Sequence, residues 1–237
     1  MSNLKAVILG AIGVVAETSD LQRQAFNAAF SEAGLGWSWD QETYRALLSI
    51  NGGQARLRSY RASLHNDTAV SDAMIASLHL RKTELYAERI AGGSLSPRAG
   101  VVELIAACQQ AGIPTALCTS TSRDNVDAIA TGLGATLNFD AFATIVTIDR
   151  IAHAKPAPDA YFHCLKMLGL TAHEVIAIED TPVSMASAIS AGISVIATPG
   201  AMTKDQDFSG AALVVQDLAL LTLADIETLH KGRQSSD

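Results

Sequence analysis

The chain has 237 residues, 49% of them hydrophobic, and a formal net charge of −7. That length can bury one large core, or a core plus an accessory domain. The acidic balance excludes a nucleic-acid partner, whose phosphates demand clustered Lys and Arg. No run of about 18 apolar residues occurs, so no membrane span is expected. Cys108, Cys118 and Cys164 form no C-x-x-C and sit in apolar stretches. They predict buried thiols in a reducing, cytoplasmic setting rather than disulfides or metal ligands.

The first element is "KAVILGAIGVVAET", with no charge from Ala6 to Ala16. It reads as a buried strand or as an export signal, with Lys5 as a basic start and "VVA" as a small-residue cleavage site. A basic region of one lysine argues against export. Residues 19–92 read as helices. "SDLQRQAFNAAFSEAG" opens on a capping-box pattern (Ser19, Gln22) and stops at Gly34. "WDQETYRALLSINGG" and "SDAMIASLHLRKTELYAERIAGG" each close on a Gly pair suited to a C-terminal cap.

From Pro97 the texture alternates. The helix-like "RAGVVELIAACQQAG" precedes the strand "IPTALCT". After it come the helix "SRDNVDAIATGLG", strand "FATIVT", helix "DAYFHCLKMLG", strand "VIAIED" and helix "VSMASAISAG". The strands "SVIAT" and "ALVVQ" follow, and the polar tail "KGRQSSD" is expected to fray. Short apolar strands alternating with helices predict an α/β fold with a parallel sheet covered on both faces. The expected plan is a Rossmann-like core over 1–16 and 93–237, with a helical cap inserted at 17–92.

Ligands of open parallel sheets sit beyond the carboxyl ends of the strands. "TALC" ends in Thr119-Ser120-Thr121-Ser122, whose hydroxyls and helix-start N–H groups suit a phosphate or simply cap the helix. "AKPAPD" places Lys155 on a Pro-flanked turn, as a point charge for a phosphate or as a solvated loop residue. "VIAIED" ends in Glu179 and Asp180, a costly pair at the end of an apolar strand unless a cation such as Mg²⁺ joins them. Helix capping is the plainer reading of that pair.

This ordered set, with "KPAPDAYF", "IEDTPVSMASAISAG", "TSTSRDNV", "SPRAGVVELI" and "ETSDLQRQAFNAAFSEAG", resembles the haloacid dehalogenase (HAD) superfamily of phosphohydrolases. Within it the likeness is to the beta-phosphoglucomutase/CbbY-like branch. The resemblance implies that Thr119 and its neighbour Ser120 bind a phosphoryl group, that Lys155 balances its charge, and that Glu179 and Asp180 hold Mg²⁺. It implies a small sugar phosphate as ligand and a mobile cap that closes over it. A monomer is expected.

The first motif departs from the family. Its Asp-x-Asp-Gly supplies a nucleophile and an acid/base; aligned on Gly13, those positions hold Gly10 and Ile12. Glycine offers no nucleophile, and isoleucine neither gives nor takes a proton. Only the Ile12 backbone carbonyl remains as a metal ligand from that motif, so Mg²⁺ affinity is expected to weaken. Glu17 and Asp20 lie just past the strand, where capping or solvent exposure suits them better than substitution for the lost groups. In the cap, "NGGQARLRSY" carries Gln54 and Ala55 where relatives resemble "GGKER", while Arg56 and Arg58 remain. Gln54 and Arg56 are the expected substrate contacts. Ser184 stands where relatives commonly have Gly. Losing cooperating catalytic groups costs on the order of 10⁶ in turnover, which favours a phosphate-binding pseudophosphatase. An active phosphatase or mutase using another group, and an interaction module with a vestigial pocket, are the alternatives.

Overall fold

The computed structural model describes residues 3–50, 52–64, 70–93 and 95–234. Among the described residues six strands build one parallel sheet: β1 (Ala6–Leu9), β2 (Thr115–Cys118), β3 (Thr144–Val146), β4 (Val175–Glu179), β5 (Ser194–Ala197) and β6 (Leu213–Val214). Their order is β3-β2-β1-β4-β5-β6. The chain walks outward from β1 to β3, then resumes on the other side of β1 at β4. β1 therefore stands at the topological switch point, where the carboxyl ends of such sheets open a crevice.

The apolar opening is explained by that position. All four β1 residues are fully buried. Val7 and Leu9 enter one apolar cluster, while Ala6 and Ile8 enter the cluster on the opposite face. A period-2 strand packed on both faces has no polar side to show. Burying Val7, Ile8 and Leu9 contributes about 1.5–3 kcal/mol each. β1 pairs with both neighbours, Leu9 standing opposite Leu117 and Ile178. The stretch is thus an internal strand of the fold.

Between β1 and β2 lie α1 (Ser19–Glu32), α2 (Gln41–Leu47), α3 (Gly53–Ser63), α4 (Asp72–Ala91) and α5 (Val101–Gln110). The first four pack around an aromatic nest. The Phe26 and Trp39 rings are 4.6 Å apart, and Phe30 and Trp39 meet edge to face at 5.0 Å. Such contacts add about 0.5–1.5 kcal/mol each beyond area burial. The later helices are α6 (Arg123–Leu133), α7 (Asp159–Leu168), α8 (Pro182–Ser190) and α9 (Leu223–Gln234).

Several local expectations are corrected. No capping box opens α1: Thr18 is its N-cap without a side-chain capping bond, its hydroxyl accepting from the Tyr86 hydroxyl at 3.0 Å, and the Ser19 N–H donates to Glu17 Oε1 at 2.9 Å. Gly52 and Gly53 do not close α2; Gly52 is the N-cap of α3, and Gly53 is its first residue. The polar tail does not fray at Lys231, because α9 runs on to Gln234. Ser235, Ser236 and Asp237 lie outside the described residues. α9 itself was not expected, since its apolar residues are sparse among Asp225, Glu227 and Thr228.

Candidate functional site

Past Leu9 the chain makes a tight turn at Gly10–Gly13. Gly13 has φ +80°, a left-handed conformation that an L side chain rarely adopts. Its N–H donates to the Ala16 carbonyl at 2.9 Å. Arg98 pins this turn from outside by donating to the Gly13 carbonyl and, across the β5 and β6 ends, to Thr198 O at 2.6 Å and Gln216 O at 2.9 Å. Such a fork of N–H donors suits several carbonyls at once.

Gly10 is shaped by close approach. A Cβ at this position would stand 2.6 Å from Glu179 Oε2 and 2.9 Å from Val14 Cγ2. The Glu179 carboxylate therefore fills the space beside the β1 end that a side chain at position 10 would need.

Gly10 and Ile12 line a cavity of about 410 Å³ together with Thr119, Ser120, Glu179 and Asp180 from the β2 and β4 ends, Lys155 from the loop before α7 and Ser184 of α8. Gln54, Arg56, Arg58, His79 and Lys82 line it from α3 and α4. The sequence-predicted residues are thus brought together around one cavity, Gln54 and Arg56 included. Glu17 is not among the lining residues, and its Oε1 is used at the α1 start. Asp20 is paired with Arg23 at 2.8 Å and with Gln24.

The hydroxyl run divides its labour. Ser122 caps α6, accepting weakly from the Asn125 N–H at 3.4 Å. Thr119 Oγ1 accepts from the Thr121 N–H at 3.2 Å, and Ser120 Oγ from the Lys155 N–H at 3.0 Å. Used as acceptors, the Thr119 and Ser120 hydroxyls keep their own protons for an incoming anion.

Lys155 is no solvated loop residue. It is buried, follows α6 and β3, and precedes a cis peptide to Pro156. Its ammonium donates to the Cys118 carbonyl at 2.9 Å and pairs with Glu179 Oε1, which also accepts from the Tyr161 hydroxyl. Burial works to lower the Lys155 pKa and is the largest single influence, but the charge and hydrogen bond of Glu179, with Cys118 and Asp180, together outweigh it and the pKa is raised. Burial, then the Glu179 charge, pushes the Tyr161 phenol well up. Asp180 is also pushed well up, first by burial and then by the carboxylates of Glu179 and Glu17. Thr203 Oγ1 steadies the Asp180 backbone by donating to its carbonyl at 2.7 Å.

Tyr161 was missed because an aromatic residue inside a helix reads as core. Lys82 was missed although it carried a signal. It interrupts the buried stripe Ile75, Leu78, Leu85 and Tyr86 of α4, a position where helical periodicity asks for an apolar residue. It is 3% exposed. Its Nζ lies 4.9 Å from the Phe26 ring centre and 5.0 Å from that of Tyr86.

The donor set suits a divalent cation only in part. Mg²⁺ takes one or two carboxylates, keeps several waters and accepts substrate phosphate oxygens. Asp180 fits: it is buried at the cavity, and no hydrogen bond lowers its pKa. Glu179 fits by half, because Lys155 and Tyr161 occupy Oε1. Gly10 adds nothing, and among the described residues no three His, Cys, Asp or Glu side chains converge as a metal cluster.

Known proteins share this architecture. Haloacid dehalogenase-like hydrolases match residues 4–192. CbbY of Rhodobacter capsulatus is 41% identical over 216 residues, covering 91% of this chain and 94% of that protein. The crystal structure of CbbY from Rhodobacter sphaeroides in complex with phosphate superposes with a TM-score of 0.88 at 34% identity, covering 94% of this chain and 99% of that one. A mutant of the same protein, crystallised with xylulose-(1,5)bisphosphate, gives 0.88 at 34% identity, with 94% and 98% covered. The chain belongs to the haloacid dehalogenase-like hydrolase family, in its CbbY-like branch.

Proposed function

We propose that the protein binds phosphate or a small sugar phosphate in the cavity at the β1, β2 and β4 ends without turning it over through a phosphoaspartyl intermediate. The observation that carries this reading is the contrast at one cavity wall. Thr119, Ser120 and Lys155 stand ready for an anion, while Gly10 and Ile12 offer it neither a nucleophile nor a proton. The phosphate and xylulose bisphosphate held by the CbbY relatives support the ligand class.

The Thr119 and Ser120 hydroxyls donate to the phosphoryl oxygens. Lys155 shares its charge between Glu179 and the ligand. The absence of a carboxylate at position 10 removes a like charge beside the anion. Gln54 and Arg56 face the ligand from the segment 17–92, which serves as the cap. Arg56 Nε donates to the Leu47 and Ile50 carbonyls, so its guanidinium is already oriented. Asp180, the Ile12 carbonyl and the phosphate itself would hold Mg²⁺, which when bound supplies positive charge between carboxylate and phosphate.

The test pairs binding with turnover. Inorganic phosphate is expected to raise the melting temperature of the wild type, and Thr119→Val is expected to abolish the shift. Sugar-phosphate hydrolysis is expected at the Thr119→Val background. Multiple-turnover release of phosphate by the wild type above that background would overturn the reading.

A further inference from the structure

Lys82 has no part in the chemistry described so far. Among the described residues its Nζ makes no hydrogen bond and no ion pair; its contacts are the faces of Phe26 and Tyr86. The side chain is almost wholly buried, yet it lines the same cavity as Thr119 and Lys155. Among the described residues, the titratable and charged groups around it bring no carboxylate. Arg56 from α3 and His79 from its own helix line the cavity beside it, Tyr86 stacks on it, and Gln22 from α1 has a buried Nε2 with no hydrogen-bond partner.

A lysine placed to hold an anion keeps its proton, and one placed to attack a carbon must lose it. The aromatic faces favour the ammonium modestly. Burial and the nearby Arg56 act against it and prevail: the pKa falls to about 7. His79 is pushed down to about 4, chiefly by burial and then by Lys82, so it stays neutral beside the amine. Arg56 and Arg58 already supply fixed positive charge to this end of the cavity, and Lys82 supplies something they lack.

We propose that Lys82 is a carbonyl-capturing amine that forms a reversible imine with a small phosphorylated aldehyde or ketone whose phosphate rests on Thr119, Ser120 and Lys155. The proposal rests on the phosphate-binding reading above and extends it to the reactive end of the ligand. The neutral amine donates its lone pair to the carbonyl carbon, and the carbonyl π electrons move to oxygen. That oxygen takes a proton as nitrogen gives one up through water, leaving a carbinolamine. Loss of water then forms the C=N bond. Amine and carbonyl thus give imine and water, with no oxidant or reductant. The open-chain form of a sugar phosphate supplies both groups.

The experiment traps the imine. The full chain is incubated with glyceraldehyde 3-phosphate and cyanoborohydride, and the reduced adduct is located by peptide mass mapping. Lys82 is expected to be labelled about tenfold or more faster than a surface lysine near pH 7, because its neutral fraction is far larger. Inorganic phosphate is expected to suppress that labelling. Lys82→Met is expected to abolish the specific adduct while retaining the phosphate-dependent melting shift. Adducts spread evenly over surface lysines, with the phosphate shift intact, overturn the imine proposal alone. Equal labelling of Lys82 by unphosphorylated glyceraldehyde, uncompeted by phosphate and with no melting shift, overturns the phosphate anchor beneath it. The wild-type map decides these outcomes even if Lys82→Met fails to fold.

Discussion

Two lysines face one cavity from opposite sides, each 3% exposed, and they take opposite pKa shifts. Lys155 rises from the sheet side into a pair with Glu179, whose charge and hydrogen bond, with Cys118 and Asp180, together outweigh the burial penalty. Lys82 descends from α4 among Phe26, Tyr86 and Arg56, where the aromatic faces offset the penalty only modestly. Depth of burial is the same in both. The partner decides the protonation state.

The sharpest way to break this contrast is to remove the partner. Glu179→Ala takes from Lys155 its charge partner and from the Tyr161 hydroxyl its acceptor, leaving Lys155 the Cys118 carbonyl as acceptor, and is expected to cost about 3–5 kcal/mol of stability in urea denaturation. Lys82→Met should act in the other direction, because it removes a buried ionisable group whose proton is disfavoured in the folded protein. A gain of about 1–4 kcal/mol near pH 7 is expected. A loss of stability in that variant would mean that Lys82 has a partner the contacts do not display.

Titration separates the two lysines by sign. Between its folded pKa of about 7 and its unfolded value of 10.5, Lys82 binds fewer protons folded than unfolded. Stability should therefore rise with pH across that window, and the difference between wild type and Lys82→Met should shrink as it does. Lys155 has a folded pKa above 10.5, so its contribution holds below that value and is lost as pH rises through the folded pKa. Chemical denaturation at several pH values checks both. A smaller effect, about 1–3 kcal/mol of destabilisation, is expected for Gly10→Asp, since its Cβ would sit 2.6 Å from Glu179 Oε2. A melting temperature unchanged in that variant would mean that Glu179 yields the space freely.

Much of this was legible in the sequence because it rests on periodicity and on position along the chain. The six strands, the helical stretch after β1 and the convergence of Thr119, Lys155, Glu179 and Asp180 follow from strand-end logic. Local chemistry was less legible. Gly52 and Gly53 look like a helix stop, yet they open α3, since a glycine serves either end. The pairing of Glu179 with Lys155 and Tyr161 spans 24 and 18 residues, and no short-range pattern encodes it. Gln54 and Arg56 were expected on the α3 and α4 side of the cavity; Lys82 was not, although it interrupts the buried stripe of α4.

The fit of Glu179 against Gly10 makes the two positions interdependent. Glu179 Oε1 is fastened by Lys155 and Tyr161, so Oε2 is not the loose end of a mobile side chain. A carboxylate introduced at position 10 would meet both an occupied volume and a like charge. Restoring an acidic side chain there is therefore an epistatic change, whose benefit depends on Glu179 first turning away. Of two orders of substitution, the one that begins at Gly10 starts uphill.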